Sequence, residues 1–320
     1  MRHLSEARVL VTGGAGFVGS WLCESLLAEG ADVWCVDSYA TGSPDKVAHL
    51  VDRPGFRLVE ADVSDGLPDP GDVDIVMHLA CPASPVHYLR LPLETLRVAS
   101  AGTVNALELA LRHDARFVLA STSEVYGDPL EHPQREEYWG NVNPIGPRSV
   151  YDEGKRFAEA TTAAYRRERG ADTAIARIFN TYGPRMSLDD GRVVPTFVHQ
   201  ALLGRPLTVA GDGSQTRSLC WVEDTVDGLV RLATSDETGP VNLGNDAETT
   251  ILELARHVIE LTGSRSTIEH VPAPEDDPRV RRPDISRARR TLGWAPATPA
   301  EEGLKRTVRW MEELLAAGKG

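Results

Sequence analysis

The stretch Thr12-Gly13-Gly14-Ala15-Gly16-Phe17-Val18-Gly19 decides the fold of this 320-residue chain. It lies between an apolar run at 8–12, typical of a strand, and a helical pattern at 17–29. Glycine permits the tight turn and lets the backbone approach a pyrophosphate, and the helix N-terminus offers unpaired N–H groups to the anion. The turn therefore predicts a dinucleotide site formed by Gly13, Gly16, Phe17, Val18 and Gly19.

Strands and helices alternate through the first half of the chain. The runs Ile75-Val76-Met77 and Phe117-Val118-Leu119 are apolar on both faces, as central parallel strands are. This alternation predicts parallel β-α-β units and a doubly wound α/β sheet of the Rossmann type. The predicted strands are 8–12, 32–37, 56–62, 74–80, 116–121 and 173–179, and the predicted helices are 17–29, 92–112 and 151–169.

The alternation is lost after about residue 180, where Pro and Gly become frequent. One later helix has a clear start, because Thr250 and Glu253 form a capping-box pattern. We predict an NAD-binding Rossmann domain at 1–180, with a segment at about 218–249 returning to it. Residues 181–217 and 250–320 are predicted to form a smaller, C-terminal substrate-binding lobe.

Composition narrows the classes of protein. The formal net charge of −13 argues against a nucleic-acid backbone as a partner, although it leaves a nucleotide ligand open. No apolar run approaches the ~20 residues that span a bilayer, and residues 1–6 lack the apolar stretch of a signal peptide. The cysteines and histidines show no metal-ligand spacing. We therefore expect a cytoplasmic protein without a nucleic-acid, membrane or metal partner.

Carboxylates close the second and third predicted strands. Asp37 lies 18 residues after Gly19, where a carboxylate accepts hydrogen bonds from ribose hydroxyls and repels a 2′-phosphate. This position favours NAD over NADP as the cofactor, and Ser38 follows at the same strand end. Asp62 is either a partner of the adenine amino group or a solvated carboxylate.

Tyr151 and Lys155 lie four residues apart on a predicted helix and hence on one face. A nearby ammonium favours the phenolate, as does a nicotinium ring, so both are predicted to lower the Tyr151 pKa. Tyr151 is then a base for a hydroxyl whose carbon gives up a hydride to NAD. The lone Tyr/Lys pattern is weak, but it follows a dinucleotide turn.

The run Ser121-Thr122-Ser123-Glu124 is predicted at the carboxyl end of a central strand, where doubly wound folds place their chemistry. Thr122 or Ser123 is predicted to hydrogen-bond the hydroxyl that is oxidised. Glu124 is either a general base or water-orienting group, or a structural cap.

These motifs resemble those of the extended short-chain dehydrogenase/reductase family, whose members remodel nucleotide sugars. The resemblance covers essentially the whole chain and is most specific for the branch that decarboxylates UDP-glucuronate. The stretches that carry it are 121–129, 143–148, 151–156, 176–186, 190–194, 213–217 and 276–285.

Other branches of the family differ at the site. The 4,6-dehydratases carry an Asp-Glu pair after the threonine, whereas this chain has Ser123 before Glu124. The 4-epimerases generally lack a glutamate there. Decarboxylases of this type pair Ser-Glu with an arginine from the C-terminal lobe, which Arg281 matches; the alternative for Arg281 is a surface ion pair with Asp276 or Asp277.

The resemblance implies conversion of UDP-glucuronate to UDP-xylose. Tightly bound NAD oxidises C4 with Tyr151 as base, the β-keto acid loses CO₂, C5 is protonated, and the hydride returns to C4. Lys155 also holds the nicotinamide ribose. Glu124 and Arg281 are the candidates around the carboxylate and C5, and whether either of them or water delivers the proton stays open.

The resemblance also implies the remaining ligand contacts and the assembly. Asn180 and Arg217 match positions at the UDP phosphates, and Arg97 a basic position near the sugar. The further cofactor positions are Val63, Leu79, Ala80, Ser121, Thr181 and Arg192, and the further substrate positions are Arg192, Val193 and Gln215. A homodimer is expected in which helices 92–112 and 151–169 of both subunits form a four-helix bundle.

Two other functions compete with this interpretation. One is a nucleotide-sugar 4-epimerase or 4,6-dehydratase, which CO₂ release distinguishes. The other is a regulator that binds NAD without turnover, against which the presence of Tyr151, Lys155 and Glu124 speaks.

Overall fold

The structure is a computed structural model that describes residues 3–274 and 276–318, so Met1 and Arg2 of the N-terminal segment lie outside the described residues. The elements of the first half are β1 (Arg8–Thr12), α1 (Phe17–Ala28), β2 (Asp32–Asp37), β3 (Phe56–Glu60), β4 (Ile75–His78), α2 (Pro85–Arg90), α3 (Pro92–Arg97), α4 (Thr103–Arg112), β5 (Arg116–Thr122), α5 (Ser149–Arg169) and β6 (Thr173–Ile178). The elements of the second half are β7 (Thr181–Tyr182), α6 (Val193–Leu202), β8 (Leu207–Ala210), β9 (Thr216–Arg217), β10 (Cys220–Trp221), α7 (Val222–Thr234), β11 (Val241–Leu243), β12 (Thr249–Thr250), α8 (Ile251–Thr262), β13 (Ile268–Val271), α9 (Ser286–Leu292) and α10 (Ala300–Ala316).

Seven strands form one parallel sheet in the order β11-β6-β5-β4-β1-β2-β3, which confirms the predicted doubly wound α/β fold. Every residue of β4 and β5 is buried, as expected for strands covered by helices on both faces. The strand order reverses between β1 and β4, and a crevice opens at the carboxyl ends of the strands at such a switch point.

The predicted elements agree with the structure to within a few residues. The predicted helix at 92–112 is continuous, but a π-helical turn at Val98–Gly102 joins α3 to α4. The third strand ends at Glu60, short of the predicted 62, because the Asp62 carboxylate accepts a hydrogen bond from the Ser64 backbone N–H at 2.8 Å and turns the chain.

The second half contributes to two separate cores. A cluster that includes Trp221, Val258 and Met311 joins α6, α8 and α10 with the short parallel pair β8–β13. By contrast, α7 packs on α1, β11 extends the main sheet beside β6, and α9 packs against both α7 and β11. Part of the C-terminal segment 250–320 therefore packs on the Rossmann sheet. No helix in the described part of the chain is both long and apolar enough to cross a membrane.

The segment that carries Arg281 is held against the first half by buried backbone hydrogen bonds. Gln134 N–H donates to the Arg282 carbonyl at 2.9 Å, and Asp284 N–H donates to the Gln134 carbonyl at 2.8 Å. The buried Asn242 amide donates to the carbonyls of both Gln134 and Asp284 at 3.0 Å. These hydrogen bonds fix the position of the backbone that follows Arg281.

The predicted capping box is present at the start of α8. The Thr250 hydroxyl accepts a hydrogen bond from Glu253 N–H at 3.1 Å, and Glu253 accepts one from Thr250 N–H at 2.9 Å. Loss of such a cap costs about 1 kcal/mol. We expect Thr250→Ala to lower the free energy of unfolding by about that amount in urea denaturation, and Thr250→Ser to restore most of it. Glu260→Gln, on the exposed face of the same helix, is the control; an equal loss there would contradict the assignment.

Candidate active site

One cavity of about 730 Å³ lies at the carboxyl ends of the central strands, between the Rossmann sheet and α6. It gathers all but one of the candidate residues identified from the sequence, and their separate positions in the chain converge because the strands are parallel. Those that line it are Gly13, Gly16, Phe17, Val18, Gly19, Asp37, Ser38, Asp62, Val63, Leu79, Ala80, Ser121, Thr122, Ser123, Glu124, Tyr151, Lys155, Asn180, Thr181, Arg192, Val193, Gln215, Arg217 and Arg281.

The exception is Arg97, which does not line the cavity, so its place near the sugar stays a prediction. Its guanidinium forms an exposed ion pair with Asp65, whereas its neighbours Glu94 and Val98 line the cavity. Successive residues of a helix point in different directions, and Arg97 lies on the outward side of α3.

The glycine turn is shaped as a cradle for a phosphate. Helix α1 begins after Gly16 without a side-chain cap, so its first N–H groups are available to a ligand. A Cβ on Gly13 would lie 2.7 Å from the Ala80 nitrogen, and one on Gly19 would overlap the Gly13 carbonyl. The turn therefore requires glycine for close packing, and its geometry fits a dinucleotide pyrophosphate.

Asp37 is held in place at the end of β2. Its two carboxylate oxygens accept hydrogen bonds from the N–H groups of Tyr39 and Ala15, each at 2.9 Å. Burial raises the Asp37 pKa, while these hydrogen bonds oppose the rise. The carboxylate is thus oriented beside the glycine turn, where the sequence analysis expected the ribose of the cofactor.

Tyr151 and Lys155 project from α5 into the cavity. The Lys155 ammonium donates to the Ala120 carbonyl at 2.8 Å and lies 6.0 Å from the centre of the Tyr151 ring. Tyr151 stacks on Tyr88, with ring centroids 5.1 Å apart and an angle of 6°. Burial raises the pKa of the Tyr151 phenol, and a hydrogen bond with Thr122 only partly offsets this. The protein groups alone therefore keep this phenol protonated, and the predicted lowering by Lys155 and a nicotinium ring stays a prediction.

Glu124 lies between two arginines. Its carboxylate pairs with Arg281 and, at 2.8 Å, with Arg148. Burial disfavours the charged carboxylate, yet the two guanidinium charges prevail and hold the Glu124 pKa at about 2. Arg281 is only 3% exposed, so the alternative of a surface pair with Asp276 or Asp277 is wrong.

Asp277 links this group to a third arginine. Its carboxylate pairs with Arg217 at 2.8 Å and with Arg148 at 3.5 Å. These ion pairs form one connected group of three cations and two anions, Arg281–Glu124–Arg148–Asp277–Arg217. One positive charge therefore has no partner within the group. Such a surplus suits an anionic ligand.

Two further candidates approach the cavity from the second half of the chain. Arg192 pairs with Asp190 at 2.8 Å, and its guanidinium lies 6.0 Å from the Phe17 ring, next to the glycine turn. Gln215 donates its amide hydrogen to the Ala210 carbonyl at 2.8 Å. Arg192 therefore lines the cavity close to the glycine turn.

Several residues of the site were not predicted as functional. Arg148 immediately precedes α5, one turn before Tyr151. The signal for it in the sequence is the pattern Gly146-Pro147-Arg148, which indicates a turn that ends at an arginine. Tyr88, stacked on Tyr151, lies in a short helix without a motif, and nothing in the sequence indicates its position.

A doubly wound sheet whose glycine turn, Tyr/Lys pair and Ser-Thr-Ser-Glu run line one cavity defines a dinucleotide-dependent enzyme of the short-chain dehydrogenase/reductase type. A family model described as the NAD-dependent epimerase/dehydratase family matches residues 9–244, and the chain belongs to that family.

Similar proteins narrow the comparison. UDP-glucuronic acid decarboxylase 1 of Arabidopsis thaliana is 54% identical over 94% of this chain and 69% of its own length. UDP-glucuronic acid decarboxylase 1 of Danio rerio is 51% identical over 98% of this chain and 76% of its own. Among solved structures, UDP-glucuronic acid 4-epimerase from Bacillus cereus, in complex with UDP-glucuronic acid and NAD, has a TM-score of 0.85, with 26% identity over 96% of this chain and 99% of that one.

The glycine cradle generates a binding prediction. We expect Gly19→Ala to abolish detectable NAD binding in isothermal titration calorimetry, because the added methyl group displaces the Gly13 carbonyl and closes the turn. Ala28→Ser, on the exposed end of the same helix, should bind NAD as the wild type does. Unchanged affinity in Gly19→Ala would refute the assignment of this turn.

Proposed function

We propose that this protein decarboxylates UDP-glucuronate to UDP-xylose, with NAD recycled in every turnover. The observation that carries the proposal is the buried Arg281–Glu124–Arg148 cluster in the same cavity as Tyr151. Its surplus of positive charge supports binding of the sugar carboxylate beside Tyr151. The names of the relatives that are 54% and 51% identical over the aligned residues support the same substrate.

The cofactor role follows from the glycine turn and Asp37. Bound NAD supplies the acceptor for the C4 hydride and returns that hydride to the same carbon. Gly13, Gly16 and Gly19 hold the pyrophosphate, and Asp37 accepts hydrogen bonds from the adenosine ribose. Since the hydride is returned, there is no need for the cofactor to leave, and we propose that the protein retains it tightly.

Tyr151 and Thr122 act at C4. Tyr151 takes the hydroxyl proton as the hydride departs, and Thr122, which hydrogen-bonds Tyr151, orients the hydroxyl. Lys155 lies near enough to favour the phenolate, although its ammonium also binds the Ala120 carbonyl. The phenol becomes a base only when positive charge is bound beside it, which ties deprotonation to occupation of the site.

The arginines act on the carboxylate and its product. After C4 oxidation, the bond from C5 to the carboxyl carbon breaks, CO₂ leaves, and its electron pair passes into an enolate. Arg148 and Arg281 stabilise the carboxylate and then the enolate charge. C5 takes up one proton, so each turnover consumes one proton from solvent. Arg217 and Asn180 bind the diphosphate, which displaces Asp277 from Arg217.

The reaction is tested by incubation with UDP-glucuronate. We expect stoichiometric CO₂ and a UDP-pentose, followed by NMR, without net reduction of NAD. Formation of UDP-galacturonate without CO₂ would indicate a 4-epimerase instead, and a preparation that binds NAD without turnover would indicate a regulator. Either result contradicts the proposal.

The role of Tyr151 generates a second prediction. Tyr151→Phe keeps the ring that stacks on Tyr88 but removes the hydroxyl, so we expect CO₂ release to fall by about 10²-fold or more. NAD affinity, measured by calorimetry, should change little, and the midpoint of thermal unfolding serves as the folding control. Activity within a factor of two of the wild type would refute the role of Tyr151 as base.

We also propose a homodimer formed through the helices predicted for the bundle. An apolar helix patch on α2, α3 and α5 is exposed in the single chain and consists of Leu89, Leu93, Leu96 and Phe157. Helices α3 and α5 pack against each other, so these exposed side chains come from adjacent elements. A second copy that presents the same patch would cover it by two-fold symmetry.

The dimer proposal predicts the effect of charge within the patch. The double substitution Leu93→Asp and Phe157→Asp places like charges opposite each other across a two-fold axis, so we expect a monomer by light scattering. Val51→Asp introduces one charge at an exposed apolar position elsewhere and should leave the dimer intact. A wild-type monomer would contradict the proposal.

A further inference from the structure

A second cavity lies beside the arginine cluster. Its volume is about 270 Å³, and its lining is polar: Gly127, Asp128, Asn141, Val142, Asn143, Arg148, Asp152 and Asp276. Arg148 lines both this cavity and the larger one, and its guanidinium reaches Glu124. A polar space of this size holds several water molecules.

Asp152 is the residue of this cavity that the proposed reaction leaves without a role. It is 6% exposed and follows Tyr151 on α5. Its Oδ1 atom is buried and has no hydrogen-bond partner in the described part of the chain, and the Nε atom of Arg148 is in the same situation. An unpaired buried carboxylate oxygen is costly when the group is charged and far less so when it carries a proton.

The charges around Asp152 decide its protonation. Burial is the largest influence and Glu124 the next, and together they outweigh Arg148 and Arg281 and raise the Asp152 pKa to about 8. Glu153 on its own helix and Tyr88 on α2 also face it. Two further carboxylates, Asp128 and Asp276, line the same cavity. Two carboxylates near each other share one proton more readily than they both ionise, and here Asp152 holds it while Glu124 is ionised.

Decarboxylation requires a proton at C5, and the clamped Glu124 does not hold one. We infer that Asp152, together with the polar cavity, stores the proton consumed in each turnover and passes it to Glu124 for delivery to C5. Glu124 becomes basic enough to accept that proton when the substrate carboxylate draws Arg281 and Arg148 away from it. Solvent then restores the proton to Asp152 through the cavity. Asp152 acts through Glu124: it holds the proton in position for transfer to Glu124 and does not itself contact the substrate.

The proton balance of this step is complete. First the proton on Asp152 moves to Glu124. Glu124 then gives this proton to C5, where it bonds to the electron pair left by departing CO₂. Finally one solvent proton moves to Asp152. No oxidant or reductant is needed beyond the NAD of the proposed function, on which this inference rests.

The test compares Asp152→Asn with Asp152→Glu. Asn keeps the shape and neutrality of protonated Asp152 but has no acidic proton, so kcat for CO₂ release should fall by about 10²-fold. The solvent isotope effect on kcat should grow because proton delivery becomes rate-limiting. Asp152→Glu should restore most of the activity. Glu168→Gln, which removes an exposed carboxylate near the C-terminal end of the same helix, is the matched control and should behave as the wild type does.

Two measurements separate a proton role from a structural one. The wild-type kcat should decline as the pH rises past about 8, because Asp152 must be protonated, and this limb should be absent in Asp152→Asn. Infrared difference spectra of the resting protein at neutral pH should show a carboxylic-acid C=O band that Asp152→Asn lacks. Wild-type turnover with an unchanged Asp152→Asn overturns this inference alone, as does absence of the band. A wild type that forms no CO₂ overturns the proposed function and this inference with it.

Discussion

The buried carboxylate of Glu124 and its two arginines constrain the rest of the site. A carboxylate removed from water is costly unless cations and hydrogen bonds compensate it, and the removal of one partner leaves an unpaired buried charge. Glu124 comes from the helical turn that follows β5, Arg148 from the residue before α5 and Arg281 from the C-terminal segment. The ion cluster thus joins three distant parts of the chain.

That cluster also divides the acid–base labour among neighbouring groups. Burial, together with the nearby Glu124 charge, raises the pKa of the Tyr151 phenol and of the Asp152 carboxyl, whereas Arg281 and Arg148 lower the Glu124 pKa against the effect of its own burial. Local charge therefore separates the protonation of Glu124 from that of its neighbours. Under the proposed function, an anionic substrate that competes for the arginines would change the surroundings of all three groups at once, so that substrate entry starts the proton movement.

Much of this arrangement was predictable from the sequence, for identifiable reasons. Gly13 to Gly19, Asp37 and the Tyr151/Lys155 pair are local patterns whose spacing is set by a turn or by a helix, so their placement follows from the sequence alone. Arg97 lies outside the cavity because a one-residue shift around a helix turns a side chain from the cavity to solvent. Arg148 and Tyr88 depend on how loops and short helices pack in three dimensions, which no periodicity encodes.

The interlocked hydrogen bonds of Gln134, Asn242 and Asp284 have a consequence for protein engineering. Domains that are joined by a single linker can be exchanged between relatives as modules, but here Arg281, from the C-terminal segment, is held by a loop from the first half of the chain. A chimera that takes only the C-terminal segment from a relative would inherit its arginine without the loop at 127–148 that positions it. Transfer of substrate preference within this family would therefore have to move both segments together.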